Sequence, residues 1–93
     1  MKTWDRDKVI SSINNLVDAN LKGLNLSGLD FSKSNMISAI LTSANLKGAS
    51  LVETNLFAVK AMRADFSDAN LSGANLLKAN LTRANLQGSN LKD

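Results

Sequence analysis

Residues Ala69–Leu91 read ANLSG ANLLK ANLTR ANLQG SNL, and this stretch decides the fold. A small residue, an Asn and a Leu recur every five residues, with two variable positions between them. The same spacing continues without insertion from Asn14 to Asp93. We call the third residue of each five-residue group its centre, and all the centres in this range are apolar.

The residue before each centre is Asn or Asp in most groups, and the exceptions are Ile40, Ser50 and Lys60. Two residues before the centre, the side chain is mostly small. A period of five matches neither the 3.6 residues of a helical turn nor the two-residue alternation of a strand. The pattern therefore predicts a chain that turns a corner every five residues, with each centre pointing inward.

The glycines support such corners, because all of them lie two places after a centre, as Gly73 does. This phase predicts a backbone position with positive φ, which the third residue of a type II turn requires. One group departs from the pattern, with Val59 where Ala is usual and Ala61 where Leu is usual. We interpret this as a volume-conserving exchange between two inward positions, and a functional irregularity is the alternative.

The motif A-(N/D)-L-x-x, as in Ala69-Asn70-Leu71-Ser72-Gly73, resembles the pentapeptide-repeat family, whose members are numerous in cyanobacteria and other bacteria. The resemblance covers residues 14–93. It implies an all-β fold, a right-handed quadrilateral β-helix in which four groups, or about 20 residues, form one coil. The repeat region is accordingly expected to form about four coils.

The first thirteen residues lie outside the repeat, and we predict that residues 1–13 form an N-terminal helical cap on a β-helix of residues 14–93. Thr3 is the expected N-cap, with Asp5 and Asp7 in the first turn. The expected apolar stripe consists of Trp4, Val9, Ile10 and Ile13. Repeat proteins need such a cap because an open end exposes core and unpaired backbone groups.

A basic binding arm is the alternative for the same segment. Lys2, Arg6 and Lys8 would supply its charge, but Asp5 and Asp7 largely offset them. Capping is therefore the preferred interpretation.

Composition excludes several classes of function. The chain of 93 residues is enough for one domain, and its lack of Cys and His removes disulfides, thiolate nucleophiles and most zinc chemistry. No cofactor motif and no paired carboxylates are present, so an enzyme is not expected. No apolar run reaches membrane-spanning length, and residues 1–10 lack the apolar region of a signal peptide, so we expect a cytoplasmic protein.

Four groups per coil would stack residues 20 apart on one face. The large apolar residues that follow the centres of the first face form what we call the apolar ladder: Val17, Ile37, Phe57 and Leu77. Aligned apolar residues often mark an interface, although such residues also favour exposed strands. The second face carries the residues that we call the basic set: Lys22, Lys60, Arg63 and Arg83. Solvated surface charge is the preferred interpretation of the basic set.

The last coil has no following cap, and its centres are Leu76, Leu81, Leu86 and Leu91. We predict that these residues associate with another molecule, in the simplest case as a two-fold dimer. The alternative is that the chain is an excerpt of a longer solenoid.

The sequence thus predicts a non-enzymatic structural or protein-interaction module without cofactor. Two alternatives remain open. The resemblance includes a branch that mimics DNA, binds DNA gyrase and protects it from quinolones, but that activity depends on a long acidic rod, whereas this chain has a pI of about 9.5. The second alternative is a basic module that binds nucleic acid or an anionic surface. The dense Lys and Arg residues and the stacking aromatic side chains that favour such binding are lacking.

Overall fold

The computed structural model describes residues 3–93. Parallel bridges join residues 20 positions apart, beginning with Asn15 to Asn35 and ending with Asn70 to Asn90. Every bridge is isolated, so one residue on each side takes part and the described chain contains no longer strand. A bridging residue occurs every five positions, which means that each circuit of the chain has four sides.

Backbone hydrogen bonds connect each coil to the next. The Leu46 N–H donates to the Asp65 carbonyl at 2.7 Å, and the Asp65 N–H donates back to the Ala44 carbonyl at 2.9 Å. The same pair of bonds recurs along the repeat. Buried backbone groups are thus satisfied between coils, as a fold without long strands requires.

The corners are turns that the side chain of the Asn position closes. At one such corner the Ala49 N–H donates to the Leu46 carbonyl at 3.0 Å, and Asn45 Oδ1 accepts from the Lys47 N–H at 2.9 Å. The third turn residue has positive φ, which confirms the prediction from the glycines, as at Gly48 with φ 68°. Other residue types occupy this position too, namely Asp18, Lys33, Ser38, Ser43, Glu53, Ala58, Arg63, Asp68, Lys78 and Arg83.

The bridges define four faces, each made of groups 20 residues apart. The first face comprises residues 14–18, 34–38, 54–58 and 74–78. The second comprises residues 19–23, 39–43, 59–63 and 79–83. The third comprises residues 24–28, 44–48, 64–68 and 84–88, and the fourth comprises residues 29–33, 49–53, 69–73 and 89–93.

The centres fill the interior, and all of them from Leu16 to Leu71 are buried. Val59 and Ala61 are both fully buried, as the exchange of volume between inward positions predicts. Lys60, between them, keeps its bridges to Ile40 and Asn80, so the irregular group fits without displacing the backbone.

One helix, α1 (Arg6–Ser11), precedes the coils, and its six residues make fewer than two turns. Its N-cap is Asp5, whose carboxylate accepts a hydrogen bond from the Lys8 N–H at 2.8 Å. The prediction of Thr3 as N-cap is therefore wrong, because the helix begins three residues after it. Asp7 lies in the first turn, as expected.

The helix packs one side onto the core. Val9 is fully buried, and Trp4 and Ile13 are partly buried against the same cluster. Ile10 is 47% exposed, so its place in the expected stripe is wrong: adjacent helical residues are about 100° apart, and this short helix buries only the side of Val9. Lys2, part of the alternative basic arm, lies outside the described residues.

Candidate functional site

The structure brings the apolar ladder together at one corner of successive coils. Its members all follow a centre on the first face, and hydrogen bonds of their neighbours fix the alignment: the Ser38 N–H donates to the Phe57 carbonyl, and the Ala58 N–H donates to the Leu77 carbonyl, both at 2.9 Å. Val17 is 41% exposed and Leu77 is 64% exposed, while Ile37 and Phe57 are half-buried. The result is a row of apolar side chains parallel to the stack, exposed at its two ends and half-buried between them.

The basic set is only partly brought together. Arg63 and Arg83 line one groove of about 430 Å³, which we call the basic groove. Lys22 and Lys60 lie on the same face and are exposed, but they are not among the residues that line the groove. The remaining lining residues, which the sequence pattern does not mark as a site, are Thr42, Met62 and Thr82.

Two corners of the second face differ from the regular corner in their hydrogen bonds. At regular corners the Asn side chain accepts the N–H of the residue after the centre, as Asn80 Oδ1 accepts from the Thr82 N–H at 3.1 Å. Ile40 and Lys60 stand at the Asn position and supply no such oxygen. Among residues 3–93, the N–H groups of Thr42 and Met62 consequently have no hydrogen-bond acceptor.

The centres of the last coil are incompletely buried. Leu76, Leu81 and Leu86 are half-buried and Leu91 is 51% exposed, whereas the centres of the earlier coils are buried. Within the described chain, the Leu76, Leu81 and Leu86 N–H groups lack the carbonyl partner that the Leu56 N–H finds at Asn75 at 2.9 Å.

Two carboxylates replace the corner Asn on the remaining faces. The Ser32 hydroxyl and N–H lower the pKa of Asp30, and the Ser67 hydroxyl and N–H lower the pKa of Asp65, to which Lys47 adds a smaller effect. Both carboxylates take the structural role of an Asn side chain, since each accepts the corner N–H at 2.9 Å. Their role at these corners is accounted for by the turn.

Residues 3–93 contain no group of three or more acidic residues that could hold a metal ion. All the buried side-chain nitrogen and oxygen atoms in this range have hydrogen-bond partners. The described part of the chain likewise has no helix that is long and apolar enough to cross a membrane.

Comparisons with known proteins agree with this geometry. The family model "Pentapeptide repeats" matches residues 15–51 and 62–93 in 8 copies. The break between the two matches includes Val59 and Ala61, the irregular inward pair. A comparison with curated protein sequences returns no match.

Solved structures give the same result. A pentapeptide repeat protein from Nostoc Pcc 7120 is 37% identical with a TM-score of 0.90, and the match covers 94% of this chain and 75% of that one. A pentapeptide repeat protein from the Arabidopsis thaliana thylakoid lumen is 32% identical with a TM-score of 0.86. That match covers 90% of this chain but only 58% of the Arabidopsis chain, so this chain spans less than two thirds of that protein.

The five-residue period, the four-sided circuit, the family model and the solved structures all lead to the same assignment. The chain belongs to the pentapeptide repeat family, whose fold is a right-handed quadrilateral β-helix.

Proposed function

We propose that this protein is a non-enzymatic interaction module that associates with a second copy of itself or with a protein partner through the apolar ladder and the last coil. The proposal includes a β-helix of four coils in residues 14–93 and a helical cap in residues 1–13. The observation that carries it is the alignment of four large apolar side chains on the first face. Apolar patches at a protein surface often mark protein–protein interfaces.

The last coil supports the same proposal by a different physical route. Its half-covered leucines would gain from burial, and its free N–H groups could pair with a further strand, as exposed sheet edges do. A two-fold arrangement of two copies would satisfy both edges at once. Mimicry of DNA is disfavoured because the net charge is +3 and DNA is an anion.

Light scattering over a range of protein concentrations tests the proposal. We expect the solution mass to rise toward twice 9.9 kDa, and the substitutions Val17→Ser and Leu77→Ser together to weaken the association. Both sites are exposed, so folding should change by less than about 0.5 kcal/mol per site. Leu91→Ser then separates the contribution of the last coil from that of the apolar ladder.

Val52→Ser is the matched control, because Val52 also follows a centre but lies on the fourth face. It should leave the mass unchanged. A pull-down with each variant as bait tests binding to other proteins. If the double variant associates as the control does in light scattering, and captures the same proteins in the pull-down, the apolar ladder is not an interface.

A cytoplasmic location is also part of the proposal. The similar Arabidopsis protein comes from the thylakoid lumen, so members of this family occur in other compartments. Fractionation of cells that express the tagged protein tests the location, and recovery outside the cytoplasm would contradict it.

A further inference from the structure

The second face concentrates the positive charge of the protein. Its four groups contain the basic set and no Asp or Glu. Since the whole chain has a net charge of +3, subtracting the +4 of this face leaves −1 for the rest of the molecule. The field of the protein therefore attracts anions to this face.

Two of these cations lie at equivalent points of neighbouring coils. Arg63 and Arg83 both occupy the left-handed position of their turns, with φ 60° in each case. Stacked strands are about 4.8 Å apart, so the two arginine side chains leave the backbone at adjacent levels of one corner. Both line the basic groove. Guanidinium groups bind phosphate oxygens in pairs, which suits a single anion placed between two of them.

Free backbone donors lie beside the same groove. Thr42 and Met62 line it, and their N–H groups have no acceptor in the described chain because Ile40 and Lys60 replace the corner Asn. At a regular corner an oxygen of the Asn side chain accepts this N–H. An oxygen of a bound anion can take that place, and backbone N–H groups of this kind are common anion ligands.

From these observations we propose that the basic groove is a binding site for a phosphate group, held by Arg63, Arg83 and the N–H groups of Thr42 and Met62. A phosphate is favoured over a carboxylate because its additional oxygens allow it to meet two guanidinium groups and the backbone donors together. The site lies on the second face and is separate from the apolar ladder, so it does not depend on the proposed association.

The test is an NMR titration of the ¹⁵N-labelled protein with inorganic phosphate, at fixed pH and with ionic strength held constant by chloride. The Thr42 and Met62 amide signals should move along a saturable curve. The Val52 amide provides an internal control. Within residues 3–93 its N–H also lacks an acceptor, because Ser50 stands at the Asn position, but it lies on the fourth face beside Glu53 and should not respond.

Variants distinguish specific binding in the basic groove from non-specific attraction by surface charge. Arg83→Gln should weaken phosphate binding at least about tenfold, the effect of losing one charge-assisted hydrogen bond. Lys78→Gln removes the same charge from the same turn position, φ 59°, on the first face, and should have no effect. Ile40→Asn changes no charge but restores the corner oxygen for Thr42, so it too should weaken binding by several-fold.

The proposal is overturned if the shifts do not saturate, or if Lys78→Gln weakens binding as much as Arg83→Gln. It is also overturned if the Val52 amide responds like those of Thr42 and Met62. A parallel titration with O-phosphoserine identifies the source of the phosphate. Tighter binding of the ester assigns the site to a phosphate monoester, and tighter binding of inorganic phosphate assigns it to the free anion.

Discussion

Residues other than glycine occupy most of the left-handed turn positions. Lys33, for example, has φ 62° and is exposed. Such a conformation costs an L-residue about 1–2 kcal/mol, because Cβ approaches the following carbonyl oxygen. The sequence predicted positive φ only where glycine marked it. The corners without glycine have the same positive φ because the spacing of the repeat imposes the same backbone conformation, even where a side chain disfavours it.

The substitution Lys33→Gly should therefore stabilise the protein. Glycine relieves the strain of positive φ but loses about 0.5–1 kcal/mol of backbone entropy, which leaves a net gain of about 0.5 kcal/mol or more. Urea unfolding measures the change. Lys47→Gly is the control, since Lys47 is also exposed but precedes the left-handed residue of its corner, and it should destabilise. Equal signs for the two variants would contradict the turn assignment.

At the scale of the element, α1 contacts the coils through both apolar and polar groups. Val9 is buried, and Arg6 Nη1 donates to the Asn25 carbonyl at 3.0 Å. In later coils the equivalent carbonyl accepts an N–H from the preceding coil, as the Asn45 carbonyl does from Leu26. The guanidinium group thus replaces a missing backbone donor. The helix and the burial of Val9 were predictable from the sequence, but the exposure of Ile10 was not. The start of the helix was not predictable either, because Thr3 and Asp5 are both good N-caps.

Val9→Ala should destabilise the protein by about 2 kcal/mol, because it removes a fully buried side chain and leaves a cavity against the first coil. The control is Ile10→Ala, at the next position of the same helix. It removes a side chain that is 47% exposed, so it should change the free energy of unfolding by less than about 0.5 kcal/mol. Thermal or urea unfolding compares them. Similar losses for the two variants would mean that the helix does not pack on the coils as described.

At the scale of the whole molecule, the separation of 20 residues between stacked positions determines which surfaces exist. The apolar ladder and the basic set were predictable from the sequence, because a period of five and four groups per coil assign every residue to a face. The basic groove was not, because it depends on which side chains line a depression. The free N–H groups of Thr42 and Met62 also required the hydrogen bonds of the structure, although Ile40 and Lys60 had marked those corners.

Both proposed sites depend on this alignment, and a long-range HNCO experiment on the labelled protein tests it most directly, because it detects coupling across individual hydrogen bonds. The structure predicts a correlation from the Leu46 amide to the Asp65 carbonyl and from the Asp65 amide to the Ala44 carbonyl. Equivalent pairs should appear around each coil. Correlations confined to residues within four positions of each other would contradict the four-sided coil, and with it both faces.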